Sequence, residues 1–288
     1  MGLKKLIRNV CFLTKNTLKN EERLDFEGLL EEAYLERRDN CKYKFPNICD
    51  EFETIKEIKR GKSICRFGDG ELELIMGNNI PFQKSSSELS TRLKEVLSSN
   101  NGDILIALPK FIYSSKLDVT EITRKFWLSH GKRFRDTIAP HLNDGQTYYA
   151  ADFTLASLAY LNFDVETYFR EIQSIFKDRS VSIVCGENVF KDIVYNIFCS
   201  AKSVKYIYGL SIDAFSEYKN LLEKCSEIPK SDLVIIILGP TAKILAYDLA
   251  LKGYQALDLG HVAKAYDWYM KNKLPQNMQQ EAEFFQPD

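Results

Sequence analysis

The sequence predicts an α/β fold built on a mainly parallel sheet flanked by helices, and three observations carry that reading. Seven short apolar runs follow Ser63: "SICRF", "DILIALP", "TYYAADF", "SVSIVCG", "VKYIYG", "DLVIIILG" and "YQALDLG". Most are followed by a segment of helical pattern, such as "SSELSTRLKEVLSS", "DAFSEYKNLLEKC" or "PTAKILAYDLALKG", and that alternation implies βαβ units. A chain of 288 residues with 45% hydrophobic content can bury a full core on both faces of such a sheet.

The elements divide at residue 61. Residues 1–61 read as a helical lead-in packed on the core: "GLKKLIRNVCFLTKN", "DFEGLLEEAYLERR" and "CDEFETIKEIKRGK", separated by polar breaks and by "KFPN". Leu3, Leu6, Ile7 and Val10 share a helical face beside Lys4, Lys5 and Arg8, so residues 1–20 suit either peripheral contact with a membrane surface or a helix docked on the domain. Residues 62–288 read as one domain with no internal repeat, low-complexity tract or linker. Within it, Val119 to Leu142 is a helical insertion rich in Arg and Lys.

In an open parallel sheet, ligands bind beyond the carboxyl ends of the strands, so the residues just after each strand are read together. The first such corner is Gly68-Asp69-Gly70-Glu71, after the strand ending near Arg66. It partly matches the dinucleotide pattern G-x-G-x-x-G, but Glu73 stands where the third glycine belongs, and the interleaved acids repel a pyrophosphate. A divalent cation resolves the conflict: Asp69 and Glu71 supply hard oxygen ligands for Mn²⁺ or Mg²⁺, with Gly70 allowing a turn that aims both at one ion. The same acids also suit the plain capping of the helix "ELELIMG".

At the second corner an apolar strand ends at Gly239, Pro240 suits a first helical position and Thr241 supplies a hydroxyl, which together make an anion site or simply a well-formed strand-to-helix junction. At the third, Asp258 and His261 follow the last strand. His261 is one of three histidines and is a candidate metal ligand, proton carrier or phosphate donor. At the fourth, "VSIVCGENVF", Cys185 reads as a buried small hydrophobe, and Glu187 as a candidate acid, base or ribose hydroxyl acceptor, or a solvated turn residue. The insertion mixes Phe126, Trp127 and Phe134 with Arg124, Lys125, Lys132, Arg133 and Arg135, which suits a sugar or diphosphate platform or an ordinary amphipathic helix.

The balance of 39 basic against 40 acidic residues gives a formal net charge of -1, so no global field draws the chain to nucleic acid. The seven cysteines are scattered without a C-x-x-C pair, as expected of a reducing cytoplasm. Neither a signal peptide nor an apolar stretch of spanning length is present, so the expected location is cytoplasmic, at most on the inner face of the membrane.

Taken together, "CRFGDGELELIMGNNIPFQ", "IVCGENVF" and "LGPTAKILAYDLALKGYQALDLGHV" resemble the bacterial GT-D fold glycosyltransferases, first known as a domain of unknown function. The resemblance runs from about Ser63 to Trp268. It implies a Rossmann-like domain that binds a nucleotide-sugar donor, typically UDP-linked, and a D-x-E motif at Asp69 and Glu71 that serves a divalent metal. It also makes Arg66, Gly68, Gly70, Gly239, Pro240, Thr241 and Asp258 donor-binding positions and places His261 in the donor pocket. Where many members carry a Ser-Arg-Pro-like stretch, this chain reads "DFTLAS", and where they carry G-x-G-N-D it reads "GENVFKD".

The expected activity is therefore metal-dependent transfer of a hexose from a UDP-sugar to a glycan, glycoprotein or lipid-linked acceptor, as part of glycan biosynthesis. Asp69 and Glu71 would hold the metal, and Glu187 or His261 would take the acceptor proton. The alternatives are a non-catalytic nucleotide-binding regulatory module and an NAD-dependent oxidoreductase. Glu73 and the acid facing the phosphates weigh against the latter.

Overall fold

The computed structural model describes residues 45–113, 118–273, 280 and 283–285. The two earlier helices expected in the lead-in, and its contact with a membrane, fall on residues 1–44 and lie outside the described residues. The third is present as α1 (Glu51–Lys59), opened by Asp50, whose carboxylate accepts from the Glu53 amide at 2.8 Å.

All seven expected strands form: β2 (Ser63–Arg66), β3 (Ile104–Leu108), β4 (Thr147–Ala150), β5 (Ser180–Gly186), β6 (Ser203–Gly209), β7 (Leu233–Ile237) and β8 (Ala256–Asp258). An eighth, β1 (Asn47–Ile48), comes from the stretch read as a break and pairs with β4. Two residues beside a proline carry no strand periodicity, so nothing in the sequence marks it. The sheet runs in the order β1-β4-β3-β2-β8-β7-β5-β6, and every pairing is parallel.

Alternate residues of each central strand feed opposite cores. Ile104, Ile106 and Leu108 of β3, with Val234 and Ile236 of β7, join one core. Its helices are α2 (Asp69–Ile75), α3 (Ser87–Leu97), α4 (Glu121–Ile138), α7 (Tyr218–Ser226) and α8 (Thr241–Leu251). Leu105 and Ala107, with Leu233 and Ile235, join the other, under α1, α6 (Val165–Phe176) and α9 (Val262–Met270). A short α5 (Ala156–Ala159) follows β4. Burial on both faces explains why these strands read as near-continuous apolar runs rather than as alternating ones.

Because the strands are parallel, their carboxyl ends share one edge. The loops after β2, β7 and β8 meet there at the middle of the sheet, where β2 and β8 are neighbours although distant in sequence. No helix among the described residues is long and apolar enough to cross a membrane.

Candidate functional site

The corner after β2 is not the loop that its glycines suggest. Gly68 is extended and caps α2, whose first turn is Asp69-Gly70-Glu71. Gly70 therefore makes no special turn; a Cβ there would approach the Ile80 side chain at 3.2 Å. Residues two apart on a helix do not share a face, and the two acids accordingly part company. Glu71 turns inward and is buried, while Asp69 stays exposed.

Glu71 is fully engaged. Its Oε2 accepts from the Gly68 amide at 2.7 Å, and its Oε1 meets the Lys243 ammonium at 2.5 Å. Burial alone would raise its carboxyl, but the charge and hydrogen bond of Lys243 and the Gly68 amide overcome that and hold it below the ordinary value. Asp69 makes no ion pair among the described residues, and its carboxyl is raised by surrounding protein and then by the charge of Glu71.

Lys243 was not legible as a site residue, although one signal exists. It is a buried cation in the first turn of α8, a helix that is otherwise almost wholly apolar. The helix dipole opposes a cation there, so other groups must hold it. The Gly239 carbonyl accepts from its Nζ at 2.9 Å, and Asp258 lies 3.5 Å away beyond Glu71. Asp258, 1% exposed, accepts from the Arg66 amide at 3.2 Å and from the Gly260 amide at 3.3 Å.

The Arg66 guanidinium then reaches the turn after β4, donating from Nε to the Ala151 carbonyl at 3.3 Å and from Nη1 to the Thr154 hydroxyl. Gly260 has φ +45°, which favours glycine, and a Cβ on it would stand 2.6 Å from Arg66 Nη1, so a side chain there would displace the guanidinium. The chain thus binds the corners after β2, β7 and β8 through two acids and two bases, of which Glu71, Asp258 and Lys243 are buried and Arg66 is half-buried.

The second corner is more closed than its sequence suggests. Thr241 is fully buried, and its hydroxyl lies 3.4 Å from Gln83 Oε1. Gln83 Nε2 in turn donates to Asp213 Oδ1 at 2.5 Å, and Phe82 packs against Gly239. Pro240 is buried as the residue before α8, leaving Gly239 as the exposed part of this corner.

His261 packs against Phe284 and Phe285, at ring separations of 5.7 and 5.3 Å. Burial, then the charges of Arg66, Lys264 and Lys243, push its imidazole down to about 3, so it is neutral at physiological pH. Glu187 is an exposed residue in the turn after β5, apart from the buried network. Cys185 is buried with its thiol raised to about 12, as expected of an inert small hydrophobe.

The insertion forms α4. Phe134 is buried, Trp127 meets Phe111, Phe126 and Phe134, and Arg135 donates to the Ile112 carbonyl. Arg133 pairs with Glu73 of α2, Lys132 with Asp136 and Lys125 with Glu121. These partners favour the amphipathic-helix reading and dock α4 beside the Asp69 corner.

A divalent cation needs hard oxygen donors. Among the described residues no group of three or more His, Cys, Asp or Glu side chains is arranged to hold a metal. Asp69 fits as it stands, an exposed carboxylate with no ion-pair partner among the described residues; Glu71, with both oxygens engaged, is held behind it.

Comparison with known proteins bears on the family and the fold. A family model described as "Glycosyltransferase GT-D fold" matches residues 64–284. The chain is 31% identical over 219 residues to "Probable glycosyl transferase Gly" of Streptococcus gordonii, a match covering 74% of this chain and 31% of that protein. It is 30% identical over 216 residues to "Glycosyltransferase GlyD" of Streptococcus pneumoniae serotype 4, covering 73% of this chain and 26% of the relative. The matched part thus spans about a quarter to a third of these relatives' length.

Among solved structures, "The highly conserved domain of unknown function 1792 has a distinct glycosyltransferase fold" superposes with a TM-score of 0.76 at 27% identity, covering 84% of this chain and 91% of that one. "A New Glycosyltransferase (DUF1792) from Streptococcus sanguinis" gives 0.76 at 26% identity, covering 81% and 88%.

Proposed function

This chain belongs to the GT-D fold glycosyltransferase family, and we propose that it moves a hexose from a UDP-sugar to a hydroxyl of a glycan, glycoprotein or lipid-linked acceptor. One observation carries the reading: Arg66, Glu71, Lys243 and Asp258 fix three strand-end corners around a mouth where Asp69 is left open. Diphosphates bind at such an edge of an open parallel sheet.

Asp69 would hold Mn²⁺ or Mg²⁺, with donor phosphate oxygens completing the set. A bound ion of this kind supplies Lewis-acid neutralisation of the departing nucleoside diphosphate. The chain's own part is positioning. Glu71 fixes the turn that presents Asp69, and Lys243 keeps the buried acids neutralised so that the mouth stays dry and shaped. Gly68, which caps α2, and Gly239, the exposed part of its corner, let backbone approach the ligand at the mouth, while Gly70 and the buried Pro240 shape the starts of α2 and α8 behind them. Thr241 sets the start of α8 through Gln83.

His261, held neutral, offers a ring and a nitrogen to the donor without charge. A base whose proton affinity is that low is poorly matched to accept a hydroxyl proton near neutral pH, and Glu187 stands in solvent. The free thiols at all five described cysteines support a cytoplasmic setting.

The test is release of UDP from UDP-glucose, UDP-galactose and UDP-N-acetylglucosamine, with and without Mn²⁺, in the presence of saccharide acceptors. The enzyme reading expects metal-dependent release with one donor preferred. Tight UDP binding without turnover of any donor would instead favour a nucleotide-binding regulatory module, and NADH binding without metal an oxidoreductase.

A further inference from the structure

A second buried polar cluster lies at the same carboxyl edge, around the turn that follows β4. Asp152 stands two residues past the end of that strand and keeps 9% of its surface. Its Oδ2 accepts from the Lys110 amide at 3.1 Å. Its Oδ1 has no hydrogen-bond partner among the described residues and is not wholly sealed from the surface.

The charged and titratable groups facing it are already committed elsewhere. The Lys110 ammonium, carried past the end of β3, pairs with Glu51 of α1 at 3.1 Å. Tyr160, just after α5, donates to the same Glu51 at 2.5 Å. The guanidinium of Arg66 is spent on Ala151 and Thr154. Asp152 is therefore a crowded acid with no ion-pair partner among the described residues, held on one side only by the Lys110 amide, an arrangement that costs stability.

Arg66 joins this cluster to the donor corners. Its amide is on Asp258 and its side chain is on the turn that carries Asp152. We propose that Asp152 is the base of the sugar transfer, taking the proton of the acceptor hydroxyl, which rests on the glycosyltransferase reading above. The hydroxyl proton passes to Asp152 Oδ1. The acceptor oxygen forms its bond to the anomeric carbon, and the bond from that carbon to the diphosphate oxygen breaks with its electron pair, which leaves on the nucleoside diphosphate.

Burial, then the nearby Glu51, against the Lys110 amide, Arg66 and Lys110, raises the Asp152 carboxyl to about 7, where a base serves near neutral pH. Because this value is raised on folding, the associated stability is present below the ordinary value of 3.8 and is lost as pH rises through about 7. Asp152→Asn should therefore leave the fold as stable as the wild type, or more stable, above that pH.

The experiment compares wild type, Asp152→Asn, Asp152→Glu and Glu187→Gln, using the three UDP-sugars above with p-nitrophenyl glycosides as acceptors. The proposal expects Asp152→Asn to lower acceptor-dependent kcat by about 10²- to 10⁴-fold. UDP affinity should be kept and the unfolding midpoint should not fall, Asp152→Glu should recover part of the rate, and the rise of kcat/KM with pH through about 7 should vanish only in Asp152→Asn. Wild-type turnover in Asp152→Asn, a matching loss of UDP affinity, or loss of the pH limb in Glu187→Gln instead would each overturn the proposal while leaving the donor reading intact. A wild type that turns over none of the donors overturns both.

Discussion

Asp69 and Glu71 differ by one intervening residue and by nearly everything else. The sequence treats them as a symmetric pair, but α2 begins between Gly68 and Asp69, and its geometry sends one acid out and the other in. Asp69→Asn should leave unfolding stability within about 0.5 kcal/mol, as for an exposed residue with no ion pair. Glu71→Gln should cost about 3–5 kcal/mol, the cost of removing one partner of a buried pair; denaturant unfolding of the two variants separates these outcomes, and equal midpoints would contradict the assignment. The carboxyl of Glu71 is held below its ordinary 4.5, so its contribution is present above that value and is lost as pH falls through the lower folded one. The acid limb of stability should thus be shallower in Glu71→Gln than in wild type. Asp69, Arg66 and Asp258 were legible because they sit at or just past strand ends; Lys243 was not, because its meaning depends on a partner 172 positions away, and Asp152, although it too follows a strand, was not, because the group that holds it is 42 positions away.

At the scale of elements, the corners are held by short-range devices that depend on one another. Gly260, in the left-handed region after β8, leaves room for the guanidinium of Arg66 as it reaches the turn after β4. Gly260→Ala should destabilise by about 1–3 kcal/mol through strain and displaced contacts, and should weaken UDP binding as well, since Arg66 orders both clusters; calorimetry on the variant checks both, and unchanged UDP affinity would show that Arg66 does not shape the donor mouth. Helix α8 carries the same lesson. Its apolar run, its glycine before and its glycine after were plain in the sequence, but the cation within it marks a junction that periodicity cannot see. Helix α4, read as an open question between a ligand platform and an amphipathic helix, resolves towards the latter because Phe134 is buried and Lys125, Lys132 and Arg133 all have carboxylate partners.

For the whole molecule, the alternation of apolar runs and helical segments was enough to predict a parallel sheet, since each strand buried on both faces leaves a continuous apolar signature. The strand order was not legible. It depends on which crossovers pass to which side, and this choice is what sets β8 beside β2 and closes the site from segments near residues 68 and 258. The two-residue β1 is not legible in the sequence because it has no periodicity of its own and is defined only by its pairing with β4. A ligand that binds only the folded chain must stabilise the whole of it, by about 2.7 kcal/mol at a hundredfold excess over Kd, so UDP with Mn²⁺ should raise the melting temperature where UDP alone raises it little. Calorimetric titration of UDP into wild type and Asp69→Asn, each with and without Mn²⁺, tests Asp69 as the metal ligand at the donor mouth. Metal-strengthened binding in wild type that drops to the metal-free level in Asp69→Asn is the predicted result; equal, metal-independent affinity in both proteins would contradict it.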